Sequence, residues 1–150
     1  MALISYTSAR ELLDLMHSRA ITPLEVMEDT LGRIDKANPS LNAFVSIDAD
    51  RAIDEAKAAT KALAAGKTIG PLGGLPIGVK DLEDVGGMVT SFGSVPFRNN
   101  VATGDSIQVG RLRKAGAIVV GKTNTPEFGS TGFCKNRLFG VTRHPWNLER

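Results

Sequence analysis

Lys80 closes a short apolar segment set among glycines and prolines, Gly70-Pro71-Leu72-Gly73-Gly74-Leu75-Pro76-Ile77-Gly78-Val79-Lys80-Asp81. Withdrawn from water, such a lysine becomes a base, because desolvation disfavours the ammonium form. Bringing its pKa from about 10.4 to roughly 7–8 costs on the order of 3–5 kcal/mol. The pattern permits this chemistry. Leu75, Ile77 and Val79 alternate with Pro76, Gly78 and Lys80, the period-2 spacing of a strand. Lys80 therefore leaves the strand on a face with almost no side-chain bulk, and something else must fill that space. On these residues alone the ordinary reading is that Lys80 caps the strand and reaches solvent, as most lysines do. Asp81 points to the opposite face, so it is expected to anchor backbone or a loop rather than to pair with Lys80.

Other chemistry-bearing residues fall into no complete arrangement. His17, His144 and Cys134 do not make a metal site. His17 belongs to the polar side of the first predicted helix. Gly129-Ser130-Thr131-Gly132 has the look of a nucleophile turn but lacks the G-x-S-x-G form and a matching histidine. Gly116, Gly121, Lys122 and Thr123 satisfy the spacing of a phosphate-binding loop, yet the residues between them, Ala117-Ile118-Val119-Val120, form an apolar strand rather than a loop that opens a helix.

The Gly70–Asp81 segment resembles the entry to the active site of the amidase signature family, with its G-P-L-x-G-x-P-x-x-V-K-D run. Five further pieces agree in order and spacing: Arg111 to Ala117, Gly121-Lys122-Thr123-Asn124, Glu127-Phe128, Leu138-Phe139-Gly140, and Arg143-His144-Pro145-Trp146. The resemblance covers essentially the whole chain. It implies an amide hydrolase in which Lys80 is the base of a Ser–cis-Ser–Lys triad. It also implies that Gly129, Ser130 and Thr131 line the substrate pocket, although an ordinary turn accounts for those three residues equally well. The family's serines lie in and just beyond a G-G-S-S-G-G-S type segment, and this chain has none. The resemblance thus implies the front part of an amidase, inactive by itself, that needs no cofactor or metal and acts on a small-molecule amide. His144 departs from the asparagine usual before that proline, and Trp146 is expected to anchor packing. Thr125-Pro126-Glu127-Phe128-Gly129 looks more like the general amidases than the amidase-like component of the tRNA-dependent glutamine amidotransferase, which stays as the alternative. A non-catalytic scaffold or partner-binding module derived from the family is a third reading.

The 150 residues, 42% of them hydrophobic, are enough to build a real core. A net charge of +2, with acids interspersed among the basic residues, gives no basis for binding nucleic acid. One cysteine forms no internal disulfide, the first residues lack a signal pattern, and no apolar run is long enough to span a membrane. A cytoplasmic protein is the expectation.

The elements that must position Lys80 read as α/β: an N-terminal helical hairpin over 1–40, then over 41–150 the start of a mixed sheet flanked by helices. Ser8-Ala9-Arg10-Glu11 and Thr22-Pro23-Leu24-Glu25 are helix starts. The second helix is expected to end at Asn38-Pro39, followed by a strand from Leu41 to Ile47. Asp48 caps a third helix that Gly66 closes. Residues 83–100 read as irregular but anchored by Met88, Val89, Phe92 and Phe97. A fourth helix starts at Thr103 or Asp105 and ends before Gly116. Ala117–Val120 then forms a strand buried on both faces, parallel to Ile77–Lys80 across a β-α-β connection. With the family's remaining sheet absent, that strand is expected to offer a bare edge or face, and the uncovered apolar surface to promote self-association.

Overall fold

Reciprocal caps open the first two helices of the computed structural model, which describes residues 4–149. The Ser8 side chain accepts from the Glu11 amide while Glu11 accepts from the Ser8 amide at 3.0 Å, and α1 follows over Ala9–His17. Thr22 and Glu25 repeat the exchange, with the Thr22 amide 2.8 Å from Glu25 Oε2, before α2 over Pro23–Leu41. Each box satisfies N–H groups that the helix itself cannot. The remaining elements are β1 (Phe44–Ile47), α3 (Ala49–Ala64), β2 (Pro76–Lys80), α4 (Ile107–Lys114), β3 (Ile118–Thr123), β4 (Lys135–Asn136) and β5 (Gly140–Val141). Single 3-10 turns stand at Ile4–Tyr6, Val95–Phe97 and Glu127–Gly129.

The described chain forms two units, each discontinuous in sequence: residues up to 33 with 48–77 and 111–120, and residues 34–47 with 78–110 and 121 onward. In the first, Leu12 and Met16 of α1, Val26 of α2 and Leu75 form a buried cluster, with Leu13, Ile21, Leu63 and Leu72 packed against it. The helical hairpin therefore docks within its own chain. Burial of each such side chain contributes roughly 1.5–3 kcal/mol. Backbone bonds tie the glycine-rich run to the end of α4: Leu72 N–H to Ala115 O at 2.8 Å and Gly74 N–H to Gly116 O at 3.0 Å. Gly116 is obligatory there, because its φ is +98° and a Cβ would lie 2.0 Å from the Ile69 carbonyl oxygen.

The larger sheet has the order β1-β3-β2. β1 runs antiparallel to β3, pairing Phe44 with Thr123, Ser46 with Lys122 and Ile47 with Gly121. The Ile118 amide donates to Leu75 O and the Asp81 amide to Thr123 O, so β2 and β3 advance together and are parallel. This is the expected mixed sheet. Ile118, Val119 and Val120 are all buried, which corrects the expectation of a bare face, and β1 pairs with β3 at the next residues, Gly121–Thr123.

Several boundaries also differ from the sequence reading: β1 starts at Phe44 rather than Leu41, and β3 runs on to Thr123 rather than ending at Val120. α2 continues through Pro39 to Leu41 and stops at Asn42, whose φ of 54° is left-handed. Pro39 is exposed and removes only its own N–H from the helix ladder. The Asn38 side chain instead organises the exit, accepting from the Ala43 and Phe44 amides at 2.9 and 2.8 Å and donating to Phe44 O. α4 begins at Ile107 because Asp105 is committed to the Gly86 amide at 2.8 Å, and Ser106 accepts from the Val109 amide.

Candidate active site

β2 gives Lys80 its direction. Val79 is buried while Gly78 and Lys80 are exposed, as strand alternation requires. The space over Gly78 is filled from neighbouring strands: a Cβ on Gly78 would come within 2.9 Å of Thr123 Cγ2 and 3.2 Å of the Phe44 ring. Lys80 thus stands at the end of a strand where packing leaves no room for a side chain at position 78, with its own side chain open to solvent.

On the other face, directly after β2, Asp81 is 1% exposed and Lys122 is 0% exposed. Lys122 Nζ lies 3.1 Å from Asp81 Oδ1, 2.8 Å from Thr90 Oγ1 and 3.3 Å from Val89 O, enough acceptors for every ammonium proton. Burial pushes the Lys122 pKa down, opposed by the Asp81 carboxylate. The Ser91 amide and hydroxyl both donate to the Asp81 carboxylate. Asp81 is therefore the loop anchor expected of it. A cleft of about 200 Å³ runs past it, lined by Val45, Ser46, Val89, Arg98 and Phe139.

Sequence reasoning missed Lys122. A signal was present: a lysine that continues a strand buried on both faces needs an acid at its level, and the parallel strand supplies one at Asp81.

Residues 83–100 are irregular and ordered. Thr90 exchanges backbone and side-chain bonds with Asn100, Val89 bridges Val101, and Met88 is buried. Phe92 and Phe128 both hold positive φ, 55° and 51°, a conformation that bulky residues rarely adopt. Each is tied down by its amide, Phe92 N–H to Asp81 O at 3.1 Å and Phe128 N–H to Phe92 O at 2.8 Å. Their rings stack at 6.0 Å, and Phe97 meets both edge-on.

These bonds carry the frame from Asp81 to the turn bearing Gly129, Ser130 and Thr131, all three exposed. Gly129 has a φ of +69°, and a Cβ there would press on Leu82 Cδ1 at 2.9 Å. Backbone bonds thus run from the residue after Lys80 to the residue before Gly129. Beneath the turn, Asn136 Nδ2 reaches Thr125 O and Asn124 Oδ1 at 2.8 and 2.7 Å.

At the C-terminal end, the Asn147 amide donates to His144 O at 3.1 Å, so a turn forms with histidine at that position. Trp146 is 87% exposed, with its ring against that of His144, which corrects its expected role as a packing anchor. His17 is exposed. Among the described residues there is no cluster of His, Cys, Asp and Glu suited to a metal, and no helix long and apolar enough to cross a membrane.

The Amidase family profile matches residues 25–150. The chain is 41% identical to an acylamidase of Rhodococcus erythropolis over 97% of its own length and 30% of that protein. It is 38% identical to a glutamyl-tRNA(Gln) amidotransferase component of Acidothermus cellulolyticus, over 95% of its length and 28% of that protein. The crystal structure of a bacterial aryl acylamidase of the amidase signature family superposes with a TM-score of 0.89 at 33% identity, over 95% of this chain and 30% of that one. The chain thus spans about 30% of the length of the curated relatives it matches.

Proposed function

Since the chain belongs to the Amidase family, we propose that it supplies the lysine of a Ser–cis-Ser–Lys centre hydrolysing carboxylic amides, with Lys80 as the base. The observation that carries this reading is the placement of Lys80 at the solvent-facing end of β2, in the same hydrogen-bonded frame as the Gly129–Thr131 turn. In a polypeptide that continues through the family's serine-rich segment, neutral Lys80 takes the proton of the cis-serine hydroxyl. That serine in turn deprotonates the nucleophilic serine as it attacks the amide carbonyl. Returned along the same relay, the proton reaches the leaving amine, and water completes hydrolysis of the acyl-enzyme. Gly129, Ser130 and Thr131 line the substrate pocket.

The 150-residue chain holds the base without the G-G-S-S-G-G-S segment. By itself it hydrolyses no amide, because removing one member of such a unit already costs several orders of magnitude. The protein resides in the cytoplasm, which fractionation against a periplasmic marker tests.

The experiment is Lys80→Ala in the polypeptide carrying both segments. Loss of nearly all turnover with an unchanged melting temperature supports the reading, and near-normal turnover ends it. Assaying anilides and aliphatic amides against glutamine separates a general amidase from the amidotransferase component. Hydrolysis of glutamine alone, dependent on added partner proteins, would favour the latter.

A further inference from the structure

Asp81 is held at every polar atom it has. Its amide donates to Thr123 O at 2.9 Å and its carbonyl accepts from Phe92. Its carboxylate accepts from Lys122 Nζ and from the amide and hydroxyl of Ser91. Thr90 and Ser91 are 0% exposed, like Lys122, so the whole arrangement sits out of water. The Ser91 hydroxyl also accepts from the Gly93 amide at 3.1 Å, which extends the fixed segment past the strained Phe92.

Stability alone is a poor reason for this arrangement. A buried ion pair gains little over an apolar pair of the same volume, since desolvating two charges offsets most of their attraction. What the pair does provide is a fixed position. Lys80 is one peptide bond from Asp81, and Phe128, whose amide is bonded to Phe92, is one from Gly129. Adjacent residues on a strand face opposite ways, so the Asp81 carboxylate acts on Lys80 through the backbone and not by pairing with its side-chain nitrogen.

We infer that Asp81, clamped by Lys122 and Ser91, is a positioning residue that holds Lys80 and the 128–131 turn in one frame. This rests on the reading of Lys80 as the base. A base must lie within hydrogen-bond reach of the proton it takes, and a misplacement of about 1 Å can cost on the order of 100-fold in rate. Anchoring the neighbouring residue at both backbone and side chain limits such drift without touching the reacting atoms.

Two measurements test the inference. In the 150-residue chain, Ser91→Ala should accelerate hydrogen exchange at the Asp81, Phe92 and Phe128 amides by at least about tenfold, while Ala52 and Val26 in the other unit keep wild-type rates. Unchanged exchange at those three amides, or a parallel rise everywhere, overturns it. In the polypeptide that continues through the serine-rich segment, Ser91→Ala and Asp81→Asn should lower kcat about 10- to 100-fold with KM nearly unchanged. Ser91→Ala stands in if Asp81→Asn fails to fold. Wild-type kcat in the folded variants, with Lys80→Ala inactive, overturns the positioning role alone. Near-normal turnover by Lys80→Ala overturns the assignment of the base and this inference with it.

Discussion

Lys122 and Asp81 meet at 3.1 Å across the parallel strands, and both side chains are almost wholly buried. Taking away the cation leaves a buried carboxylate supported only by Ser91. Lys122→Met should therefore lower the unfolding free energy by about 3–5 kcal/mol, the usual cost of breaking a buried pair. Combining it with Asp81→Leu should recover part of the loss, since no uncompensated charge then remains. Urea unfolding of the single and double variants at neutral pH checks both. A single variant within about 1 kcal/mol of wild type would show that water reaches the pair.

The helix caps make the first unit sensitive to acid. Glu11 is held below its ordinary pKa of 4.5 chiefly by the Ser8 hydroxyl, and Glu25 likewise by Thr22. Because the folded values lie below the unfolded ones, this stabilisation is present in full above the unfolded pKa. It is lost as the pH falls through the folded values. Amide protection at the first turns of α1 and α2 should decline on acidification below about pH 4.5. Glu11→Gln should weaken α1 at pH 6 and be indistinguishable from wild type once both states are protonated. Fraying that is the same across this range would contradict the capping role.

Two glycines should respond in opposite directions to alanine. Gly32 lies within α2 with nothing within 4 Å of an added Cβ, so Gly32→Ala should stabilise by roughly 0.5–1 kcal/mol through helix propensity. Gly116→Ala meets the Ile69 carbonyl oxygen at 2.0 Å with φ at +98°. It should destabilise by more than about 2 kcal/mol. Thermal melts of the two variants decide the matter, and a neutral Gly116→Ala would mean that residues 69–74 can move aside.

Exposed apolar side chains gather in the second unit: Phe128 at 57%, Phe133 at 84%, Trp146 at 87% and Leu148 at 47%. The 150-residue chain should bind a hydrophobic dye and sediment with an average mass that rises with concentration. Phe133→Ser with Trp146→Ser should lower both signals. A dye-silent monomer at every concentration would show that these side chains do not drive association.

Local patterns in the sequence determined most of the elements. Ser8, Thr22 and Asp48 mark helix starts because a cap is settled within one turn, and the alternation from Leu75 to Lys80 assigns faces because strand period is a backbone property. The parallel pairing of β2 with β3 also follows from the chain, since one helix between two strands returns the second in the same direction. Tertiary structure decided what depends on the neighbour across the gap. Asn38 reaches Phe44 and so sets the exit from α2, overriding the proline. Ile118, Val119 and Val120, expected to offer a bare edge or face, are buried. Above all, it gave the desolvated environment to Lys122 and left Lys80 open. Burial of a lysine depends on which acid and which loop close over it, and Asp81, Thr90 and Ser91 come together over Lys122 only when both strands and the segment between them have folded.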